Sequence, residues 1–348
     1  MSILYSPANL GPLKLQNHMV MAPMTRNRAT GNVPNDLIAE YYGQRSSAGL
    51  IVTEGTSPSP NGLGYPRIPG IFSEAQVDGW RKVVAAAHAG GAKFFIQLMH
   101  TGRIGHPLNL PKGARVLGPS AIAAAGEIYT DAEGMKPHPT PEPMTDADIK
   151  TAIAEFGTAA KNAVAAGADG VELHAANGYL LEQFIRPTSN QRTDSYGGSI
   201  ENRARFVLEA AKAAIAAIGA DKVGIRLSPY GVFNGAGAFP GVDEQYLALA
   251  KTLRPQYEQD IGGMTNLLAA MREAKVNRLV FSSSAATYGM PDVDSVNEDT
   301  VCNPINPYGE TKLIGEWMSA NAARAWGGLP AVPPNPSESR GLQFDRGG

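Results

Sequence analysis

A short apolar run followed by a helical pattern recurs five times along this sequence and constrains its fold more than any other feature. The runs lie at 18–23, 49–54, 93–98, 168–173 and 222–227. Short apolar runs bounded by glycine or proline are typical of buried parallel strands. The helical patterns lie between and after them, at 35–47, 73–89, 145–166, 199–218 and 243–253. This order predicts an α/β fold, a parallel barrel of the TIM type with one active mouth.

Two of the predicted helices carry a capping box at their start. Ser73 is followed at the third position by Gln76, and Thr145 is followed by Asp148. A hydroxyl and an amide or carboxylate at this spacing satisfy each other's backbone N–H groups. The residues between these two helices, 103–143, hold many prolines and glycines without a sustained period. A loop of that length is typical of a lid or a binding loop.

The fourth strand is followed by the densest polar chemistry in the chain. His174 stands where this strand is predicted to end, and Asn177 and Tyr179 follow it. In a βα barrel, residues at the carboxyl ends of strands point into a shared mouth. An imidazole, an amide and a phenol meeting there would hold an oxygen and move a proton. The alternative is that the histidine caps backbone groups and the tyrosine packs against a neighbour.

Polar or small residues also stand at the other strand exits. The first strand ends at Pro23 and is followed by Met24 and Thr25, whose hydroxyl can donate to a ligand or cap a backbone group. Gly55 follows the second strand and brings backbone close to the contents of the mouth. Gln97 lies on the third strand, and Arg226 lies near the exit of the fifth.

Composition excludes several classes of function. The formal net charge is −2 and there is no lysine- or arginine-rich run, which argues against a nucleic-acid partner. There is neither a run of about 18 apolar residues nor a basic start followed by an apolar block, so the expectation is a cytoplasmic protein without a membrane partner. The single cysteine, Cys302, excludes an internal disulfide and a thiolate metal cluster, and no metal site is predicted.

Six motifs occur in order within residues 1–253. They are M-A-P-M-T-R at 21–26, G-Y-P-R-I-P-G-I at 64–71, Q-L-M-H-T-G-R at 97–103, E-L-H-A-A-N-G-Y-L at 172–180, N-Q-R-T-D-S-Y-G-G-S-I-E-N-R at 190–203 and G-I-R-L-S-P at 224–229. With them this region resembles the old yellow enzyme family of flavin-dependent ene-reductases. The resemblance implies a (β/α)8 barrel and FMN-dependent reduction of activated C=C bonds of α,β-unsaturated carbonyl compounds, with NAD(P)H as the reductant.

The same resemblance implies a cofactor site. Thr25 would touch the flavin near its reactive nitrogen, and Gln97 and Arg226 would bind its pyrimidine end. The full set of cofactor-binding residues predicted in this way is Pro23, Met24, Thr25, Gly55, Gln97 and Arg226.

A substrate site is implied as well. His174 and Asn177 match the pair that holds the substrate carbonyl oxygen, Tyr179 matches the proton donor, and Tyr65 matches a tyrosine that contacts the substrate. Met99 departs from the family pattern, because many relatives carry tryptophan there, and this leaves the substrate range open.

Beyond residue 253 the family pattern stops. Residues 257–320, within a segment predicted to span 254–326, resemble a UDP-hexose 4-epimerase, an extended short-chain dehydrogenase of the Rossmann class. Ser284, Tyr308 and Lys312 match its catalytic residues. The glycine-rich turn that would hold NAD phosphates is missing from the sequence, so these residues are interpreted as remnants. The tail, 327–348, is proline-rich, and we expect it to be disordered.

These observations predict an incomplete barrel whose flavin pocket lacks a phosphate site, because barrels of this type bind phosphate after strands seven and eight. The favoured function is an FMN-dependent ene-reductase impaired by that loss. One alternative is a non-catalytic chimeric fusion of two truncated enzymes, which self-associates through open sheet edges. A UDP-sugar epimerase is the least favoured alternative.

Overall fold

The structure is a computed structural model that describes residues 3–257, 279–280 and 331–332. Its strands are β1 (Ala8–Leu10), β2 (Leu13–Leu15), β3 (Val20–Met21), β4 (Leu50–Val52), β5 (Lys93–Leu98), β6 (Leu117–Gly118), β7 (Glu127–Thr130), β8 (Gly134–Pro137), β9 (Glu142–Pro143), β10 (Gly170–Ala175), β11 (Val223–Leu227), β12 (Leu279–Val280) and β13 (Ala331–Val332). Its α-helices are α1 (Asp36–Gly43), α2 (Glu74–His88), α3 (Asp146–Ala165), α4 (Leu180–Ile185), α5 (Ile200–Ile218) and α6 (Val242–Tyr257).

Five strands form one parallel sheet in the order β11-β10-β5-β4-β3. The five strands predicted from the sequence are therefore confirmed as elements, although three of them are shorter. The first is two residues long, since Pro23 has no N–H to donate to a ladder. The fourth extends further than predicted, because the pairing of β10 with β11 continues through His174, which lies opposite Arg226.

The helices begin where the capping residues predict. Ser73 with Gln76 and Thr145 with Asp148 both form complete capping boxes. The helices α2, α3 and α5 pack the outer face of the sheet. Their largest buried side chains include Trp80, Phe156 and Phe206. The core therefore lies between the sheet and these helices, as expected when parallel strands are covered by their own crossovers.

The inner face of the sheet is covered at the amino ends of the strands and polar at their carboxyl ends. The β1–β2 hairpin covers the amino ends, where a separate buried cluster consists of Leu15, Leu50, Val52 and Phe95. Side chains alternate across a strand, so Glu172 and His174 on β10 share the inner face while Leu173 faces the helices. Polar inner side chains are thus confined to the carboxyl ends of the strands.

Residues 103–143 contain more regular structure than their irregular sequence predicts. β7 and β8 form an antiparallel hairpin, and β6 pairs with β9. The hairpin turn closes at Gly134, whose φ of 71° is readily adopted only by glycine. Each strand of this hairpin has only four residues, too few for a clear alternation of polar and apolar residues.

The chain divides into two compact units, residues 1–261 and 262–348. In the second unit the described part is one parallel pair, β12 with β13. The predicted epimerase-like residues Ser284, Tyr308 and Lys312 lie outside the described residues, and so does the predicted tail except for β13. In the first unit the described sheet has five strands of the eight that a complete barrel needs. No helix in the described ranges is long and apolar enough to cross a membrane.

Candidate active site

A cavity of about 590 Å³ opens at the carboxyl ends of the five parallel strands. Its volume lies within the range of ordinary small-molecule sites. All of the site residues predicted from the sequence line it, with the exception of Gly55. The lining residues are Pro23, Met24, Thr25, Arg26, Asn27, Arg28, Tyr65, Arg67, Gln97, Met99, His174, Asn177, Tyr179, Arg226 and Phe233.

His174 lies at the base of the cavity and is buried. Burial, together with the nearby positive charge of Arg226, lowers the pKa of His174 to about 3. The ring is therefore neutral at ordinary pH and carries one N–H. Its Nδ1 atom is buried and has no hydrogen-bond partner among the described residues. An unsatisfied buried nitrogen in a cavity wall is available to a ligand.

Tyr179 and Tyr65 face each other across the cavity. The Tyr179 hydroxyl donates a hydrogen bond to the Tyr65 hydroxyl at 3.2 Å, and the two rings meet edge to face at 6.3 Å. Tyr179 also lies 5.0 Å from the ring of His174, measured between ring centroids. Burial and the proximity of Tyr65 raise the pKa of Tyr179 well above its usual value, so the phenol keeps its proton.

Asn177 is held in the left-handed backbone region, with a φ of 59°. Asparagine tolerates this region better than most residues. Its backbone N–H donates to Ser228 Oγ at 3.0 Å, and its carbonyl accepts from Asn234 Nδ2 at 2.9 Å. The loop after β11 therefore fixes the backbone that carries the predicted oxygen-binding amide.

Gln97 and Arg226 lie on strands that flank β10, one on each side. Gln97 Nε2 donates to Glu172 Oε1 at 2.7 Å. Burial raises the pKa of Glu172, while the Gln97 hydrogen bond and the charge of Arg226 oppose that rise. Glu172 is a residue that the sequence reasoning missed. Its position two residues before His174 on an otherwise apolar strand was the available signal, since alternate residues share a face.

Thr25 belongs to the segment that leaves β3, and a buried carboxyl group anchors that segment. Glu54 Oε2 accepts from the backbone N–H of Arg26 at 3.1 Å. Burial raises the pKa of Glu54 to about 7, even though the Arg26 backbone bond and the charges of Arg26 and Arg28 lower it. Glu54 is 1% exposed. The predicted flavin-contacting segment is therefore fixed by one acid at the end of the second strand.

Gly55 is not among the residues that line the cavity, and its predicted contact with the cofactor stays a prediction. The space beside its Cα is occupied by Met99, because a Cβ built on Gly55 would lie 2.4 Å from Met99 Cε and 2.4 Å from Met99 Sδ. Met99 itself lines the cavity. Glycine at position 55 therefore makes room for the side chain that departs from the family pattern.

Five further lining residues were not predicted from the sequence. They are Arg26, Asn27, Arg28, Arg67 and Phe233. Both Asn27 and Arg67 have positive φ values, 55° and 54°. Asparagine tolerates this conformation, whereas the residue type of Arg67 does not indicate it. Arg28 lies three residues beyond Thr25, and its nearness to the first strand exit was the available signal.

The residues present fit the ring system of a flavin. The cavity has a buried nitrogen without a partner at His174, amide donors at Gln97 and Asn177, and a cationic group at Arg226. A polar heterocycle buried among apolar walls needs such convergent donors and acceptors.

Residues 3–279 match the NADH:flavin oxidoreductase / NADH oxidase family model. This chain belongs to that family. The residues beyond the described sheet give a second match, because residues 228–345 match the NAD dependent epimerase/dehydratase family model. The two matched ranges overlap at 228–279. The old yellow enzyme resemblance is thus confirmed, and the second match agrees with the predicted resemblance at the coarser level of that family.

Family members of known name are similar to the first part of the chain. "12-oxophytodienoate reductase 7" of Oryza sativa subsp. japonica is 44% identical over 229 residues, 65% of this chain and 58% of the relative. A flavin oxidoreductase of Emericella nidulans is 48% identical over 242 residues, 66% of this chain and 60% of the relative. The chain therefore spans about three fifths of the length of these relatives.

Solved structures of family members superpose on the chain. An old yellow enzyme homologue from Zymomonas mobilis is 39% identical, with a TM-score of 0.70 over 73% of this chain and 71% of the other. Morphinone reductase in complex with tetrahydroNAD is also 39% identical, with a TM-score of 0.70 over 78% of each chain. These neighbours identify the described parallel sheet as part of a TIM-type (β/α)8 barrel.

Proposed function

We propose that this chain is an FMN-dependent oxidoreductase that reduces activated C=C bonds of α,β-unsaturated carbonyl compounds with NAD(P)H. The observation that carries the proposal is one cavity lined by His174, Asn177, Tyr179, Gln97 and Arg226. Membership of the flavin oxidoreductase family supports it. The names of the relatives, which include a 12-oxophytodienoate reductase and a probable flavin mononucleotide-dependent alkene reductase, point in the same direction.

In this proposal the sheet supplies the cofactor site. Gln97 and Arg226 would hold the pyrimidine end of the flavin, and Thr25, with Pro23 and Met24, would contact its central ring. Bound FMN would supply the hydride chemistry that protein side chains lack. Arg226 places a positive charge where negative charge develops on reduction, and Glu172 orients the amide of Gln97 through its 2.7 Å contact.

His174 and Asn177 would bind the carbonyl oxygen of the substrate. Because the imidazole is neutral, it donates its N–H without placing a full charge in the buried site. Two donors on this oxygen stabilise the enolate as negative charge develops. Each is worth about 3 kcal/mol in comparable oxyanion sites. The left-handed backbone at Asn177, held by Ser228 and Asn234, fixes one of the two donors in advance.

Tyr179 would donate the proton to the α-carbon of the substrate. Its raised pKa keeps the hydroxyl protonated across the neutral range. Tyr65 accepts the Tyr179 hydrogen bond and contacts the same space, so it would orient the donor and border the substrate. A positioned acid of this kind typically accelerates proton transfer by about 100-fold or more.

We also propose the division of the chain expected from its sequence, with a reductase-like barrel portion at 1–253, an epimerase-like fragment at 254–326 and a disordered tail at 327–348. The second family match, over 228–345, supports a second segment after the barrel portion, although it begins before 254 and extends through most of the predicted tail. On this basis the barrel is incomplete, a Rossmann-derived fragment follows it, and the phosphate end of the FMN site is weakened. Exposed β3 and β11 edges would favour self-association. The cytoplasmic location stays a prediction.

The experiment that tests the function is NADPH and NADH oxidation by the full chain, with FMN added, in the presence and absence of cyclohexenone. The expected result is coenzyme consumption that depends on both FMN and the enone, with cyclohexanone as product. Enone-independent oxidation alone, or none at all, contradicts the proposal. Turnover of UDP-galactose would instead favour the epimerase alternative, and the absence of both activities would favour the non-catalytic fusion.

A further inference from the structure

Two arginines at the mouth of the cavity, Arg28 and Arg67, have no role in the function proposed above. The lining contains four arginines, and no aspartate or glutamate is among the described residues that line it. Of the other two, Arg226 belongs to the proposed flavin site, and Arg26 packs over the Tyr41 ring at 5.1 Å. Like charges gathered in a concave site raise the local concentration of ions of the opposite charge.

Arg28 forms no ion pair with an acidic group among the described residues, although its charge opposes the rise in the pKa of the buried Glu54. Its Nη1 donates to the carbonyl oxygens of Arg26 and Asn27, at 3.0 Å and 3.2 Å. These bonds fix the direction of the side chain but leave its net charge in place. Its backbone is fixed as well, because Asn35 Nδ2 donates to the Arg28 carbonyl at 2.8 Å. Arg28 is therefore a positioned cation with unused N–H groups, since a guanidinium has five.

Arg67 is positioned by an unusual backbone conformation. Its φ of 54° lies in the left-handed region, which is unfavourable for arginine. Its carbonyl accepts from the Ala29 backbone N–H at 2.9 Å, so the backbone of Arg67 lies beside the residue that follows Arg28. Arg28 and Arg67 thus lie on adjacent backbone segments and line one cavity. Non-glycine residues held in this region cluster at ligand sites.

The acidic neighbour of Arg67 is a weak competitor for its charge. Arg67 Nη2 lies 3.2 Å from Asp131 Oδ1 in the β7–β8 hairpin turn, and these side chains are 43% and 44% exposed. Ion pairs this exposed contribute little, because water screens them. A ligand anion that reaches the same guanidinium from the cavity side would replace Asp131 at low cost.

We propose that Arg28 and Arg67 form an anion-binding subsite at the rim of the cavity, which holds a carboxylate or phosphate group of the ligand. The planar guanidinium matches both oxyanions in a two-bond geometry. This inference rests on the proposed function and adds the chemical class of ligand. The anionic group belongs either to the substrate or to the phosphates of the nicotinamide coenzyme, and the reacting part of that ligand lies over His174 and Tyr179.

The first experiment is steady-state kinetics of the full chain with FMN, using R28Q, R67Q and the double variant. The substrate pair is cyclohexenone and a cyclohexenone that carries a ring carboxylate, and the coenzyme pair is NADH and NADPH. Loss of one charge-assisted contact corresponds to about a tenfold change in affinity. If the substrate carries the anion, the KM ratio of carboxylated to neutral enone rises about tenfold per variant. If the coenzyme carries it, the coenzyme KM rises by that factor.

R81Q is the matched control, because Arg81 is 57% exposed on α2 and does not line the cavity. It also removes one positive charge, and it is expected to change neither the KM ratio of the two enones nor the coenzyme KM. Arg67→Lys keeps the charge and should retain most of the effect, while D131N frees Arg67 and should tighten the anionic ligand. Thermal unfolding of each variant identifies any that does not fold. Ratios for R28Q and R67Q that match those for R81Q overturn the proposal.

Calorimetric titration separates failure of the subsite from failure of the proposed function. NADPH and the carboxylated enone are titrated into FMN-treated wild type and double variant, at low and high salt. If the subsite exists, the double variant binds the anionic probes more weakly than wild type, and its affinity falls less when salt is added. A wild type that oxidises no NADPH with cyclohexenone rejects the proposed function alone. Equal titrations for both proteins, or no binding of either probe by the wild type, reject the subsite.

Discussion

The hydroxyl of Tyr179 donates a hydrogen bond to the hydroxyl of Tyr65 across 3.2 Å. The two residues come from distant parts of the chain, one in the loop after β4 and the other at the N-terminus of α4. Burial raises the pKa of both phenols. The proposed proton donor is therefore oriented by a second buried phenol.

Replacing Tyr179 by phenylalanine should slow alkene reduction while leaving flavin reduction by NADPH intact. The phenyl ring keeps the packing but lacks the proton that the α-carbon receives. We expect a loss of about 100-fold or more in the oxidative half-reaction, as for other positioned acids. Rapid-mixing absorbance of the flavin measures both half-reactions separately. Tyr65→Phe is the comparison variant, with a smaller loss expected because the donor remains. Equal alkene reduction by Tyr179→Phe and wild type would remove Tyr179 from its role.

The rate of alkene reduction should not depend on the protonation of His174 between about pH 5 and 8, the range in which ordinary histidines titrate. The reason is that burial and the charge of Arg226 lower the pKa of this ring to about 3. His174→Ala should lower the rate by about 100- to 1,000-fold through loss of one oxygen donor. The measurement is a pH profile of single-turnover rates for wild type and His174→Asn. A transition near the usual histidine pKa, present only in the wild type, would be inconsistent with a neutral imidazole.

Glu54 should make stability decrease as pH rises. Its folded pKa is about 7, whereas its ordinary value is 4.5. Between these values the folded chain binds more protons than the unfolded chain, so the free energy of unfolding falls with rising pH and levels off above about pH 7. The contribution is roughly 3 kcal/mol. Urea unfolding of wild type and Glu54→Gln at several pH values tests this. The difference in the free energy of unfolding between the two proteins should change between pH 4.5 and about 7. A difference that stays constant over this range would contradict the raised pKa of Glu54.

A buried ion pair beneath the mouth should be important for stability. Glu182 and Arg186 on α4 are 0% and 2% exposed, with 2.8 Å between Oε1 and Nη2. Glu182 also accepts from the Gly178 backbone N–H and from the Tyr246 hydroxyl, both at 2.6 Å. Glu182→Ala should cost about 3 to 5 kcal/mol, because it leaves a buried guanidinium unpaired.

Urea denaturation measures that loss, and a double variant tests its cause. Glu182→Gln with Arg186→Met removes both charges and keeps similar volumes, so it should recover a large part of the stability. A double variant as unstable as the sum of the single variants would indicate that the lost packing, and not the lone charge, is responsible.

The sequence predicted the parts of the fold that depend on local pattern. Apolar runs gave all five parallel strands of the described sheet, and the Ser73 and Thr145 capping boxes gave two helix starts. Their physics is local, since burial and capping act within a few residues. Residues at the strand exits were predicted to meet, and His174, Asn177, Tyr179, Gln97 and Arg226 do line one cavity.

The features missed depend on contacts between distant segments. The place of Gly55 is set by Met99, a residue on a neighbouring strand exit, and the position of Arg67 is set by a backbone bond to Ala29. Glu54, which is buried, and Glu172, which is half-buried, were missed because their partners Arg26 and Gln97 come from other parts of the chain. No local pattern records such contacts, and Asn27 and Arg67 adopt left-handed conformations that their residue types do not require.

The most direct test of the proposed flavin site is a titration of the purified full chain with FMN. Flavin fluorescence and visible absorbance monitor the binding. If the chain binds FMN in the proposed site, binding is saturable at about one FMN per chain. Gln97→Ala should lower the affinity by a few-fold to tenfold, roughly the contribution of one hydrogen bond. A shifted flavin absorbance band on binding would accompany burial of the ring. A chain that is colourless and leaves FMN fluorescence unchanged at every concentration would contradict FMN binding in this cavity.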